Sequence, residues 1–214
     1  MEATNRFFGP RVPKGARGTR EFRLPTLMFL GAAALLLISI FLPYWRLLLE
    51  APQFPGGLVI DIYVNDMTGD VELLEGLNHY VGLPGFDEGA TLERQIAVAG
   101  IIAVAGSLAA GIFIHTRWVV AFSIPMLAFP FVFLADLQYW LWRYGHSLDP
   151  IAPFSDAVGE FTPPVLGPST IAQFNTWALP NWGLIAAFAA AVITVLGLRA
   201  HRRAWEPLVQ RDES

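Results

Sequence analysis

The sequence predicts an all-α integral membrane protein with four transmembrane helices and two ordered loops on the outer side of the membrane. The 214-residue chain is 54% apolar, has a mean hydropathy of +0.47 and is only 15% charged, whereas soluble domains carry about 25% charged residues. Four apolar runs approach the roughly 20 residues that a helix needs to cross a hydrocarbon core of about 30 Å. These runs lie near residues 25–45, 95–115, 118–141 and 181–199.

The distribution of basic residues predicts the orientation of these helices. If both termini are cytoplasmic, 11 of the 14 Lys and Arg residues lie on the cytoplasmic side. They are Arg6, Arg11, Lys14, Arg17, Arg20, Arg23, Arg117, Arg199, Arg202, Arg203 and Arg211. Only Arg46, Arg94 and Arg143 fall on the other side, together with most of the acidic residues. This bias follows the positive-inside rule and agrees with an even number of helices.

The same pattern divides the chain into three parts. Residues 1–23 form a basic cytoplasmic tail, residues 24–199 the membrane domain, and residues 200–214 a second cytoplasmic tail. The first tail has Pro, Gly and Arg without apolar periodicity, so it either lies near anionic headgroups or only sets the topology. The segment "PYWR" at residues 43–46 follows the first apolar run, and we expect it to form an aromatic belt at the outer interface.

The two outer loops, residues 47–94 and 144–180, are too long to be simple connectors. In the first, "GGLVIDIYV" is rich in β-branched residues and predicts a short strand. The following "VELLEGLNHY" places Val71, Leu74 and Leu77 at helical spacing, which predicts a short amphipathic helix. The second loop contains six prolines, so we expect an irregular cap without long helix or strand.

The membrane helices differ in composition. The second and fourth runs carry small residues at four-residue spacing, which lets helices approach closely. They are Ala99, Ala103, Ser107 and Gly111 in the second run, and Gly183, Ala187 and Ala191 in the fourth. The third run contains Pro125 and Pro130, which should bend it either for packing or as a functional hinge.

The absence of cysteine and of catalytic motifs excludes several classes of function. The chain has no cysteine, so it has no disulfide, no thiolate metal site and no cysteine nucleophile. It also lacks a phosphate-binding loop, a dinucleotide-binding glycine pattern, HExxH and GxSxG. We therefore predict a non-enzymatic protein. A role in nucleic-acid binding would depend on the two tails alone.

Three residues of the outer loops are candidate metal ligands: Met67, His79 and His146. Thioether sulfur favours Cu(I), and imidazole suits both oxidation states of copper. No two of the three lie within five positions of each other, so folding would have to bring them together. The alternative is that both histidines only form hydrogen bonds within the loops. The other two histidines, His115 and His201, fall on the basic cytoplasmic side and are expected to be solvated.

Asp136 is the only acidic residue inside an apolar run. An intramembrane carboxylate is a candidate for a proton relay or an ion path. However, a rise of ~1.5 Å per residue from Trp118 places Asp136 about 27 Å along its helix, close to the outer interface. A structural hydrogen bond to Arg143, Tyr144 or the second loop is therefore the favoured interpretation, and transport is the alternative.

Several segments resemble a family of small multi-helix bacterial membrane proteins associated with the accessory genes of nitrous oxide reductase, a periplasmic copper enzyme. These segments are "PYWRLLLEAPQFPGGLVIDIYV", "LNHYVGLPG", "LERQ", "ADLQYWLWRYGHSLDPIAPF", "FTPPVLG" and "IAQF", and they span roughly residues 43–177. The resemblance implies an inner-membrane protein with a role in maturation, copper supply or electron delivery. His79 and His146 are the positions to which it assigns that role.

Two functions from different classes remain open. The first is a non-catalytic accessory or assembly protein for a periplasmic copper enzyme of the nitrous oxide reductase type, which binds copper transiently at His79, His146 and Met67. The second is a structural subunit of a larger membrane complex that holds no metal. Both predict membrane lipid and other membrane or periplasmic subunits as partners.

Overall fold

The computed structural model describes residues 7–9, 20–86, 88–153, 155–171 and 174–212. The chain divides into two compact units. The helical unit comprises residues 1–38, 99–129 and 186–214, and the sheet unit comprises residues 39–98 and 130–185.

Three helices in the described part of the chain are long and apolar enough to cross a membrane: Thr91–Gly111, Val119–Gly145 and Trp182–Leu208. They correspond to α3 (Thr91–Gly111), α4 (Val119–Gly145) and α6 (Trp182–Asp212). A single-turn helix, α5 (Ser155–Val158), lies between α4 and α6 in the sequence. The prediction of four such helices is wrong. The first apolar run forms a helix of only 17 residues, α1 (Arg23–Ser39). Pro43 ends it early, because the residue before a proline is disfavoured in helical conformation.

The prediction of an all-α fold is also wrong, because the sheet unit contains a five-stranded antiparallel sheet. Its strands are β1 (Trp45–Ala51), β2 (Phe54–Ile62), β3 (Met67–Gly69), β4 (Gly167–Ile171) and β5 (Phe174–Pro180), in the order β3-β2-β1-β5-β4. Strand β2 contains most of the predicted "GGLVIDIYV" strand. Strand β1 pairs with β2 on one side and with β5 on the other, so residues from both outer loops share one sheet.

The prolines of the second loop do not exclude strands because they occupy tolerated positions. Pro168 lies in β4, an edge strand, and Pro180 is the last residue of β5. A proline on an edge or at a strand end removes no hydrogen bond that the ladder needs. The expected irregular cap is therefore partly a β-hairpin.

One face of the sheet is buried against two helices. Leu49, Ala51, Leu58, Ile60 and Leu74 form one apolar cluster, in which Leu74 comes from α2 (Val71–Val81). This confirms the amphipathic helix predicted there. A second cluster joins Trp45 and Ala178 of the sheet to Leu137 of α4. Alternating residues of β1, β2 and β5 thus provide the core of the sheet unit.

Two adjacent aromatic residues where the segment after α1 enters β1 are almost completely buried. Tyr44 and Trp45 are 0% and 1% exposed, so the predicted interfacial belt does not form. The hydroxyl groups of Tyr44 and Ser39 share a hydrogen bond of 2.5 Å, and the Trp45 indole donates one of 2.6 Å to the Val165 carbonyl. Gly183 lies so close to the Tyr44 ring that any side chain there would overlap it.

Replacing Trp45 should test how much this burial contributes. Trp45→Ala should lower the free energy of unfolding by about 3 to 5 kcal/mol, since it opens a cavity and leaves the Val165 carbonyl without its donor. Far-ultraviolet circular dichroism does not rely on tryptophan fluorescence. It would monitor unfolding of both proteins in detergent micelles and measure the change in free energy. Trp177→Ala is the matched control: Trp177 is 44% exposed on the same sheet, and its loss should cost less than about 1 kcal/mol. Equal effects of the two substitutions would contradict this account.

Burial also makes the sheet unit sensitive to alkali. It raises the pKa of Tyr44 from 10.0 to about 12, because the phenolate would lose its hydration. The folded state therefore keeps the full contribution of Tyr44 below pH 10 and loses it as the pH rises towards 12. We expect the midpoint temperature of thermal unfolding to fall as the pH rises from 10 to about 12. Tyr44→Phe should remove much of the fall, and Tyr80→Phe, at an exposed position, should not alter it.

Candidate functional site

The two outer loops pack on each other beside the sheet. The backbone of Asp149 donates a hydrogen bond of 2.7 Å to the Gly82 carbonyl. The Tyr144 hydroxyl donates one of 2.6 Å to the Gly85 carbonyl, and its ring is stacked on Phe86. Gly82 ends α2 with φ of 85° and faces the Asp149 backbone at close range, a combination that favours glycine. The candidate ligands lie on these loops.

His146 follows the last turn of α4 and has a defined orientation. Its Nδ1 atom lies 2.8 Å from the Trp142 carbonyl, and its ring is stacked on the Trp142 indole with centroids 4.9 Å apart. A carbonyl can only accept, so Nδ1 carries the proton in the neutral ring. The lone pair is then on Nε2, which lies 3.8 Å from a Glu160 carboxylate oxygen. Histidines that bind metals commonly donate a hydrogen bond from one ring nitrogen to a carbonyl group and bind the metal through the other nitrogen.

His79 lies in the last turn of α2 and is exposed. Its ring centroid is 6.3 Å from that of Tyr80, which is also exposed. The preceding Asn78 is buried, and its side-chain amide nitrogen has no hydrogen-bond partner among the described residues. The structure therefore places His79 where an external group can reach it.

Met67 begins the edge strand β3 and lines an open groove of about 410 Å³. The lining is continuous in sequence, from Met67 to Leu73, and includes Asp70 and Glu72. Neither His79 nor His146 lines this groove. The three predicted copper ligands thus occupy three different elements. Among the residues that the structure describes, no group of three or more His, Asp or Glu side chains could hold a metal ion.

Asp136 lies on α4 at partial burial, and Glu93 of α3 is close enough to act on it electrostatically. The predicted partners have other contacts: Arg143 lies over the Trp140 ring at 5.1 Å, and Tyr144 binds Gly85. Two residues further along α4, the Gln138 side chain does bind the second loop: it donates to the Pro163 carbonyl at 3.0 Å and accepts from the Val165 amide at 2.8 Å. The transport hypothesis stays a prediction.

The outward face of the sheet carries a row of apolar residues that the sequence analysis missed. Val59, Leu48, Trp177 and Pro168 are successive cross-strand partners, and Leu179 lies one row away. Trp177 and Leu179 are 44% and 42% exposed. These five residues are called the open face below. The open face can be identified only when β1 is known to pair with β5, and no local pattern in the sequence indicates that pairing.

A bidentate ion pair borders the open face. Arg46 binds both carboxylate oxygens of Asp61 at 2.8 and 2.6 Å, and the Asn181 side chain donates to the same carboxylate at 2.9 Å. Bidentate pairs of this kind have a fixed orientation. The charged groups next to the apolar row are therefore held in one orientation, as preorganised interaction sites are.

The prediction that His201 is solvated is wrong. His201 is 2% exposed, and His115 is half-buried. Both belong to the helical unit. Their basic neighbours in the sequence suggest solvent, but the burial depends on tertiary packing that the sequence alone does not reveal.

Comparisons of this chain with protein-family models, with curated proteins and with solved structures found no match.

Proposed function

We propose that this chain is a non-catalytic accessory or assembly protein that is anchored in the inner membrane and holds a periplasmic partner against the open face of its sheet. The observation that carries this proposal is the apolar row of Val59, Leu48, Trp177 and Pro168. Trp177 and Pro168 are exposed and Val59 and Leu48 are partly exposed, and such a row of apolar side chains beside fixed charges is typical of a protein interface.

The charge distribution supports the location. Arg117 lies in the connection between α3 and α4, and Arg199, Arg202 and Arg203 lie near the end of the last span. In the sequence, α4 lies between Arg117 and strand β4, and most of α6 lies between strand β5 and Arg199; both helices are long enough to cross a membrane. The positive-inside rule assigns these segments to the cytoplasm and the sheet to the periplasm.

The partner we propose is a periplasmic copper enzyme of the nitrous oxide reductase type. Support comes from the resemblance of residues 43–177 to the family described above, together with the accessibility of His79 and the orientation of His146. With Nδ1 bound to the Trp142 carbonyl, the Nε2 atom of His146 is the one that can bind a copper ion. Transient binding needs few ligands from this chain, because the partner supplies the others.

The copper content of the partner tests both parts of this proposal. A strain lacking this chain would be complemented with wild-type protein or a variant, and copper per purified reductase would be measured. Trp177→Glu should reduce copper loading at least several-fold, because it places a charge in the apolar row. The double variant His79→Ala/His146→Ala should reduce loading while the partner still binds. Ile151→Glu is the matched control: Ile151 is 88% exposed in the second outer loop, outside the open face.

Membrane levels of each variant would be compared with wild type by immunoblotting. Full copper loading with Trp177→Glu would contradict docking at the open face. Full loading with the histidine double variant would contradict the copper role but not the docking role.

The second candidate function is a structural subunit of a larger membrane complex. It is favoured by the small residues of α3, because Ala99 and Ala103 are exposed and Gly100 and Gly106 have open space where a side chain would lie. The buried face of α3 is different and contains Ile101, Ala105, Leu108 and Gly111. A second helix from another subunit could therefore pack closely on the small-residue face.

Bulky substitution on this face separates the two functions. Gly106→Leu should abolish co-purification of a membrane subunit if the chain is structural, since the added side chain prevents close helix approach. Ile102→Leu, at another exposed position of α3, should leave co-purification intact. If Gly106→Leu leaves a stable complex unchanged, the structural interpretation of this face is wrong.

A further inference from the structure

Three segments of the helical unit meet at a junction of three aromatic rings, those of Phe22, His115 and His201. The ring centroids are 4.7 Å apart for Phe22 and His115, 5.6 Å for Phe22 and His201, and 5.8 Å for the two histidines. Phe22 directly precedes α1, His115 lies in the connection between α3 and α4, and His201 lies on α6. Phe22 and His201 are buried. The junction therefore holds the three segments next to one another.

The junction brings together arginines that are scattered in the sequence. Six arginines lie within two positions of one of its three rings, and all six are exposed. They are called the arginine rim below. The rim consists of Arg20, Arg23, Arg117, Arg199, Arg202 and Arg203. Because the three rings contact one another, all six arginines lie in one region of the helical unit.

Little negative charge from the chain itself balances the rim. In the part of the chain that the structure describes, the rim has one ion pair, between Arg202 and Glu206 at 3.5 Å. Both of these side chains are exposed, and an exposed pair of this kind contributes little to stability. The guanidinium groups of the rim are therefore available to an external anion.

Exposed apolar residues continue the helix faces that carry the rim. On α1, Leu27 follows Arg23 by four residues, and on α6, Val195 precedes Arg199 by four residues. Residues at this spacing are neighbours on one face of a helix. Both Leu27 and Val195 are exposed. Each arginine thus lies one helical turn from an apolar side chain on the same surface.

We propose that the arginine rim binds phospholipids with anionic headgroups. The guanidinium groups bind phosphate oxygens, for which their planar set of donors is suited. The acyl chains lie along the exposed apolar residues one turn away. Anionic lipid surfaces attract basic residues that lie beside a membrane segment in this way. The site belongs to the helical unit and does not depend on the function proposed for the sheet unit.

The apolar surface favours a lipid over a soluble anion. A soluble phosphate has no apolar part, whereas a phospholipid matches both the charge and the neighbouring apolar residues. Trp118, which directly follows Arg117, is 47% exposed, and tryptophan is enriched at membrane–water interfaces. The positive-inside rule requires only that basic residues lie on one side of the membrane. It does not require them to gather from three segments around one junction.

The lipid affinities of the purified full-length protein test this proposal. Native mass spectrometry from a neutral detergent would measure the binding of phosphatidylglycerol and phosphatidylcholine with the same acyl chains. The two lipids differ in headgroup charge, so their apolar contacts are matched. We expect phosphatidylglycerol to bind at least about tenfold more tightly, because one basic residue near an anionic surface contributes about fivefold.

A triple substitution on α6 removes half of the rim. Arg199→Gln/Arg202→Gln/Arg203→Gln should lower the affinity for phosphatidylglycerol at least about tenfold and leave that for phosphatidylcholine within a few-fold. The matched control, Arg199→Lys/Arg202→Lys/Arg203→Lys, keeps the charge and should retain most of the preference for the anionic lipid.

A single substitution tests whether a second segment contributes to the same site. Arg117→Gln should lower the affinity for phosphatidylglycerol about fivefold. Arg143→Gln is the matched control, because it removes the same charge from an exposed position of the sheet unit and should leave the affinity unchanged. If the triple glutamine variant is not recovered folded, judged by circular dichroism, the comparison of these two single variants decides.

Three results would overturn the proposal. Equal affinity of the wild-type protein for the two lipids would leave the rim arginines as topology determinants alone. Equal effects of Arg117→Gln and Arg143→Gln would show that the preference comes from overall charge and not from the rim. Displacement of bound phosphatidylglycerol by millimolar glycerol phosphate, which is a headgroup without acyl chains, would assign the rim to a soluble anion.

Discussion

The sheet unit depends on the burial of two adjacent aromatic residues, Tyr44 and Trp45, where α1 gives way to β1. Their side chains are almost completely removed from solvent, and their polar atoms bond to Ser39 and Val165. The same backbone segment accepts the Asn181 amide and donates to the Ile62 carbonyl. One short segment therefore aligns the central strand with β2 and with the start of α6. The open face, with Trp177 at its centre, exists only because that alignment is kept.

The parts of this fold that could be predicted from the sequence are those specified by local periodicity. Apolar runs of sufficient length indicate α3, α4 and α6, helical spacing indicates α2, and β-branched residues indicate β2. The sequence does not predict strand β1, because "WRLLLEA" has three successive leucines in place of the alternation of apolar and polar residues that identifies a strand. The sequence does not predict β5 because its partner β1 is distant: Trp45 pairs with Pro180, 135 residues later. Pairing at that distance leaves no local pattern in the sequence. Strand β4 pairs with β5 alone, and its proline argues against a strand in the sequence.

In the candidate sites too, some features follow from the local sequence and others depend on tertiary contacts. Residue type and loop position predict that His79 and His146 lie on accessible outer loops, and the structure places them on or next to α2 and α4. The partners of these residues, such as Glu160 for His146, depend on how the second loop folds back. His201 is the opposite case, since its burial against Phe22, Phe29 and His115 arises from contacts between segments far apart in sequence. Basic neighbours in the sequence are therefore a poor guide to the exposure of a histidine at a helix end.

The pairing of β1 with β5 has a consequence for biogenesis. During synthesis, β1, β2 and β3 emerge together, but β5 follows only after α3 and α4 have been made. One edge of β1 therefore remains unpaired until two helices long enough to span a membrane have been completed. An unpaired apolar strand edge promotes aggregation, and long-range closure of this kind is slow. The nascent chain thus passes through an interval in which β1 is most exposed to holdase chaperones and to proteases, and this interval ends when the last hairpin is added.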